Sequence, residues 1–300
     1  MESRVASPGI IRCGTVLAPD FEAALADYRD CLGLPVVEDG RIPPDLARSW
    51  GAPAQVGCRF ALLKAGRGFL RLVGGSPLPE GFRPLASFGW AAFEMSVRDS
   101  FALHARLEGS AFSVLGAPKL VPGFTNFIPF QVAGRSGEVL YLNTVLESRM
   151  AGLDLPVAQA EVEAMFIAVL AAEDRARAVH FHVEALGFEQ GETFRFPYSM
   201  INMSFGLPET HETDVSMTRV GRTPACEIDQ YPEAAIHRPR SAGELPPGNS
   251  LVSFAHPDLD AVRAPFIEPP TPRDGPLYGG ARVATVIGPA DERIELIECG

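Results

Sequence analysis

Two glutamates inside apolar strands are the first residues that demand an explanation. Glu295 lies between Ile294 and Leu296, and Glu227 between Cys226 and Ile228, in stretches that alternate as half-buried strands do. A carboxylate turned into such an interior is paired, hydrogen-bonded or functional. Two of them on one cavity could share a proton and act as general acid and base, which makes Glu295 and Glu227 the candidate catalytic residues. Arg71, between Leu70 and Leu72, offers a cation for a ligand carboxylate or phenolate, and Tyr141 a hydroxyl that would donate to it. The run from Phe194 to Phe205 is rich in aromatics and Met. It reads equally as ordinary core and as the lining of a pocket for a planar, apolar ligand, with Tyr198 and Asn202 as its substrate-binding candidates.

The histidines carry less. His180 and His182 would chelate a metal from a strand, but they fall inside a predicted helix, where positions two apart point in nearly opposite directions. His256 precedes Pro257 and Asp258, and helix entry accounts for it. The five cysteines are widely spaced and form no CxxC, which reads as thiols rather than a disulfide framework or a zinc site.

The elements that must position these groups repeat. A strand from Ile11 runs into a helix capped by Asp20, with Phe21, Ala24, Leu25, Tyr28 and Leu32 at helical spacing and Gly33 as the stop. Three strands follow, near Leu34 to Glu38, Gly57 to Leu63 and Gly68 to Val73. The same order of strand, helix and three strands restarts at Trp90, with a helix opening at Asp99. It restarts again at Ala164, with a cap at Glu173 or Asp174, and at Ser250, with a short helix at Asp258. Asp20 and Asp174, Gly33 and Gly187, and Tyr141 and Glu295 are each 154 positions apart, so the chain reads as two duplicated halves. The expected class is α+β, with four βαβββ modules. Residues 1–150 form the first pair of modules and 151–300 the second, each half closing its sheets around a cavity.

The run from Asp20 to Gly33 after an alternating strand, matched by Arg293 to Glu298 at the far end, resembles the vicinal oxygen chelate superfamily. That superfamily holds glyoxalases, bleomycin-resistance proteins and extradiol dioxygenases. The resemblance spans about residues 9–298. It implies a divalent metal inside each half-barrel, held by the first and last strands of its modules, with open positions for two neighbouring substrate oxygens. The matching first-strand positions carry Cys13, Ala92, Ile167 and Leu251, and the last-strand positions Arg71, Tyr141, Glu227 and Glu295. None is His, so a divalent metal is not favoured and no residue is assigned as a ligand. The resemblance then implies an enzyme of the lyase, isomerase or dioxygenase-like kind acting on a small metabolite, aromatic ones included. The alternative is a non-catalytic protein that binds and sequesters a small molecule, as bleomycin-resistance relatives do.

Composition narrows the partners. The chain has 300 residues, of which 46% are hydrophobic and 21% charged, as in ordinary globular proteins. A net charge of -11 with no basic stripe argues against nucleic acid and anionic membrane. The longest apolar run, Ala164 to Ala172, has nine residues, short of the roughly 20 that span a bilayer. No apolar signal core opens the chain, so a cytoplasmic location is expected. No phosphate-binding loop is present. The expected partner is a small molecule, and a homodimer is compatible with the reading.

Overall fold

The computed structural model describes residues 10–120, 126–150 and 152–299, which leaves the N-terminal stretch outside the described residues. Four modules follow one another. The first comprises β1 (Ile11–Ala18), α1 (Phe21–Ala26), β2 (Val36–Arg41), α2 (Pro44–Ser49), β3 (Arg59–Ala65) and β4 (Gly68–Gly74). The second comprises β5 (Gly89–Val97), α3 (Ser100–Leu107), β6 (Ser113–Gly116), β7 (Phe127–Ile128), β8 (Gln131–Ala133) and β9 (Val139–Val145). A small ribbon, β10 (Arg149–Met150) with β11 (Leu153–Asp154), leads to the third: β12 (Val162–Ala172), α4 (Arg175–Glu184), β13 (Glu189–Pro197), α5 (Ser199–Phe205), β14 (Glu212–Val220) and β15 (Thr223–Gln230). The fourth has β16 (Gly248–His256), a single 3-10 turn at Leu259–Ala261, β17 (Thr271–Pro272), β18 (Arg282–Ile287) and β19 (Arg293–Glu298).

Each module's helix starts for the same local reason. The carboxylates of Asp20, Asp99, Asp174 and Asp258 accept the otherwise orphaned N–H groups of Ala23, of Phe101 and Ala102, of Arg177 and of Asp260. Gly33 and Gly187 then turn the chain with φ of 72° and 70°, a region that favours glycine.

The strands form two curled sheets, and their pairing corrects the expectation that each half closes around its own cavity. One eight-stranded sheet runs β17-β18-β19-β16-β1-β4-β3-β2, joining the first module to the fourth. The other runs β13-β14-β15-β12-β5-β9-β8-β6, joining the third to the second. The junctions are the antiparallel pairs of first strands, β1 with β16 and β5 with β12. The physical cause lies in the apolar outer faces. Leu70, Leu72, Phe93, Met95, Leu170 and Phe254 from both sheets share one buried core with the helices. A Cβ on Gly14 of β1 would stand 2.8 Å from the Phe93 ring of β5. Modules one and two therefore stack back to back, and the free edge of each first strand is completed from the other half of the chain. The duplication itself extends into detail. Tyr28 and Glu138 make a buried hydrogen bond of 2.9 Å, and His182 and Glu292, each 154 positions later, approach within 3.5 Å.

Candidate functional site

The inner face of the first-and-fourth-module sheet carries a polar cluster assembled by register. Thr15 stands opposite Arg71 in the parallel pair of β1 and β4, and Ser253 opposite Glu295 in that of β16 and β19. Arg71 and Glu295 are 2% and 0% exposed, and they face each other at 3.4 Å. Arg71 therefore points inward, not to the outer face that its leucine neighbours also allowed. Its Nε donates to the Thr15 hydroxyl at 3.0 Å and its Nη1 to the Tyr278 hydroxyl at 2.6 Å, while its guanidinium lies 4.4 Å over the Trp50 ring. Glu295 is held from four sides. Trp50 Nε1 donates to Oε1 at 2.6 Å and Tyr278 at 3.1 Å; Ser253 donates to Oε2 at 2.6 Å, and Arg71 binds the same oxygen. Burial raises the Tyr278 phenol above its ordinary range despite Arg71 beside it, so it stands as a neutral O–H donor. Burial likewise pushes the Cys13 thiol on this face up to about 12, which leaves it protonated and unreactive.

Above this cluster opens a cavity of about 340 Å³ with Arg71 and Tyr278 among its lining residues. Its walls include Pro43 and Leu46 of α2's neighbourhood, Phe60 and Leu62 of β3 and Leu277. Small-molecule sites occupy roughly 300–1,000 Å³, so the space admits a compact metabolite.

The other sheet gathers a second set. Tyr141 pairs in register with Glu94, and Glu227 of β15 receives the Tyr198 hydroxyl at 2.8 Å. Asn143 donates to Glu94 at 2.9 Å. Burial raises Glu227 to about 7, and burial together with the neighbouring carboxylates raises Glu94 and Asp229. Among the described residues no guanidinium takes the place that Arg71 has in the first sheet, so burial disfavours the charged forms of these acids without a cation to offset it.

The sequence-derived candidates are thus re-partnered. Glu295 meets Arg71, and Glu227 meets Tyr141's neighbour Tyr198; Glu295 and Glu227 lie in different sheets and share no proton. Asn202 is buried in α5 and its amide nitrogen donates to the carbonyls of Glu209 and His211, which pins the turn after its helix, while its Oδ1 accepts no hydrogen bond among the described residues. His180 and His182 lie on α4 with His180 exposed and His182 buried, two residues apart and facing apart. Trp50, Ser253 and Tyr278 were not singled out by sequence. Glu94 was legible, because Phe93 and Met95 pack under the helices and the residue between them must face the other way.

The resemblance to metal-binding half-barrels invites a test of fit. In the first sheet the guanidinium of Arg71 fills the space beside Glu295, and the facing strand positions hold Cys13 and Leu251. Among the described residues no group of three His, Cys, Asp or Glu side chains is arranged to hold a metal ion. The residues present do not fit one. No helix among them is long and apolar enough to cross a membrane, and all five cysteines are free.

No protein-family model matches the chain, and no curated protein matches it. Solved structures do. Glyoxalase I from Zea mays superposes with a TM-score of 0.61 at 14% identity, covering 96% of this chain and 92% of its own. A proposed dioxygenase from Bacillus subtilis superposes at 0.59 and 10% identity, covering 97% and 86%. With four capped modules, two curled sheets and these likenesses over nearly the whole chain, the fold is that of the vicinal oxygen chelate superfamily.

Proposed function

We propose that the protein is an enzyme of the vicinal oxygen chelate type that acts on a small oxygenated metabolite in the cavity between the first and fourth modules. The fixed guanidinium of Arg71 stands where a metal would be expected. The observation that carries this reading is the seating of Arg71: buried, stacked on Trp50, neutralised by Glu295 and still lining the cavity. A guanidinium has five N–H donors. Three are spent on Thr15, Tyr278 and Glu295, which leaves one on each terminal nitrogen for a substrate oxygen. Such donors, held in advance on a buried side chain, stabilise charge that develops on a carbonyl or enol oxygen. Tyr278 adds an O–H that can turn from Glu295 to the same oxygen. That set suits isomerase or lyase chemistry through an enolate-like state. Glu295 acts through Arg71 and Tyr278 as a positioning residue, with all of its acceptor sites in use.

The same saturation favours a second reading, in which the cavity binds and sequesters its ligand without turnover, because the carboxylate best placed for proton transfer has no free lone pair. A pooled set of small carbonyl and phenolic metabolites, incubated with the protein and followed by mass spectrometry, separates the two. Consumption of one compound, abolished by Arg71→Met, supports catalysis. Thermal stabilisation by a compound that is recovered unchanged supports sequestration. Stabilisation that survives Arg71→Met overturns the assignment of this cavity.

A further inference from the structure

The charge inventory of the cavity points to what its ligand carries at the other end. Two of its ionic groups are internally satisfied. Arg71 is balanced by Glu295, and Arg273 closes on Asp45 at 2.6 Å. What remains among the lining residues is Arg41 against Glu38 and Asp274, an excess of one negative charge. Arg41 spends a donor on the Gly57 carbonyl at 2.8 Å. Glu38 and Asp274 enter no hydrogen bond or ion pair among the described residues.

Glu38 is placed by strand register. It stands opposite Leu62, and Leu62 opposite Arg71, so the three form one row across β2, β3 and β4 on the inner face. Two strand spacings put Glu38 roughly 10 Å of backbone from Arg71, with Leu62 between them. Its carboxylate lies against the loop that brings in Tyr278. A Cβ on Gly275, whose φ is +102°, would stand 3.3 Å from a Glu38 oxygen, so this residue lets the loop pass over the carboxylate.

Resting on the reading of this cavity as the functional site, we infer that its ligand is a cationic amine whose ammonium sits on Glu38 while an oxygen at its far end takes the two spare N–H groups of Arg71. The apolar middle of the ligand packs on Leu62 and Phe60. A ligand anionic at both ends is disfavoured, since Arg71 is already neutralised by Glu295 and the mouth carries net negative charge.

Three matched probes test this on the full chain by calorimetry: tyramine, the neutral 4-ethylphenol and the anionic 4-hydroxyphenylacetate. Tyramine should bind about fivefold tighter than 4-ethylphenol, the gain expected for a half-exposed ion pair, and 4-hydroxyphenylacetate should bind weakest. The tyramine preference should shrink as salt is raised, and its ratio to 4-ethylphenol should fall to about one in Glu38→Gln. Asp274→Asn, on an exposed loop, should lower the ratio partly and serves if the Glu38 variant does not fold. Equal or tighter binding of 4-hydroxyphenylacetate, or a tyramine preference untouched by Glu38→Gln, overturns the inference and leaves the site reading standing. Binding of none of the three, or 4-ethylphenol binding that Arg71→Met does not weaken, overturns both.

Discussion

Glu295 accepts from Trp50, Tyr278, Ser253 and Arg71, and that saturation decides what the carboxylate can do. Read from its flanks alone, Glu295→Gln should spare the fold and remove turnover. The structure reverses the emphasis, because a Gln amide would aim N–H groups at donors and leave Arg71 buried without its counter-charge. Such a loss costs about 3–5 kcal/mol, and urea denaturation should show it. Trp50→Phe keeps the ring beneath Arg71 and removes one donor to a charged acceptor, so a loss of about 2 kcal/mol is expected in the same assay. Glu227 behaves oppositely. Burial raises it from 4.5 to about 7, so the stability it contributes is complete below pH 4.5 and is lost as pH rises through 7. Glu227→Gln should therefore match the parent near pH 4.5 and melt higher than it at pH 8. A lower melting temperature at pH 8 would show that the ionised carboxylate is stabilised by its surroundings.

At the scale of elements, the capped helices and the strands with clear alternation were legible in the sequence. Strand Arg293–Glu298 matches the far-end run of the sequence to the residue, Asp20, Asp99 and Asp258 cap where the spacing puts them, and the third cap, open between Glu173 and Asp174, is Asp174. Helix α5 was not anticipated. Its residues 199–205 mix Met, Ile and Phe without a clear apolar stripe, and Tyr198 on its near side reads equally as part of a pocket wall. Tyr278 lies in a Gly- and Pro-rich stretch with no periodicity, and its role depends on a loop path that no local pattern encodes. The duplicated contacts yield a prediction at this scale. Tyr28 hydrogen-bonds Glu138, whereas His182 has both ring nitrogens unpartnered beside Glu292. Tyr28→Phe should cost about 1–3 kcal/mol by stranding a buried acceptor, and His182→Phe, which removes unsatisfied groups, should cost less or stabilise. Equal losses would mean that the His182 and Glu292 contact is a formed hydrogen bond in solution.

At the scale of the molecule, repeat periodicity revealed four modules but not their pairing, because a sequence offset reports ancestry of segments and says nothing of which strand edges meet. Since β1 is completed by β16 and β5 by β12, residues 1–150 and 151–300 expressed separately should fail to give cooperative thermal transitions and should regain one when co-expressed. The pairing is also what joins Arg71 from one half to Glu295 from the other, so the site exists only in the whole chain. The central claim, that a fixed guanidinium serves where a metal ion would be expected, is tested most directly by one titration. A ligand found for the cavity is titrated by calorimetry into exhaustively chelated protein and into Arg71→Met. Affinity unchanged by chelation and weakened at least about tenfold by the substitution, the loss of one charged hydrogen-bonding partner, is the predicted result. Affinity that vanishes on chelation and returns with a divalent cation, or that ignores the loss of Arg71, would contradict it.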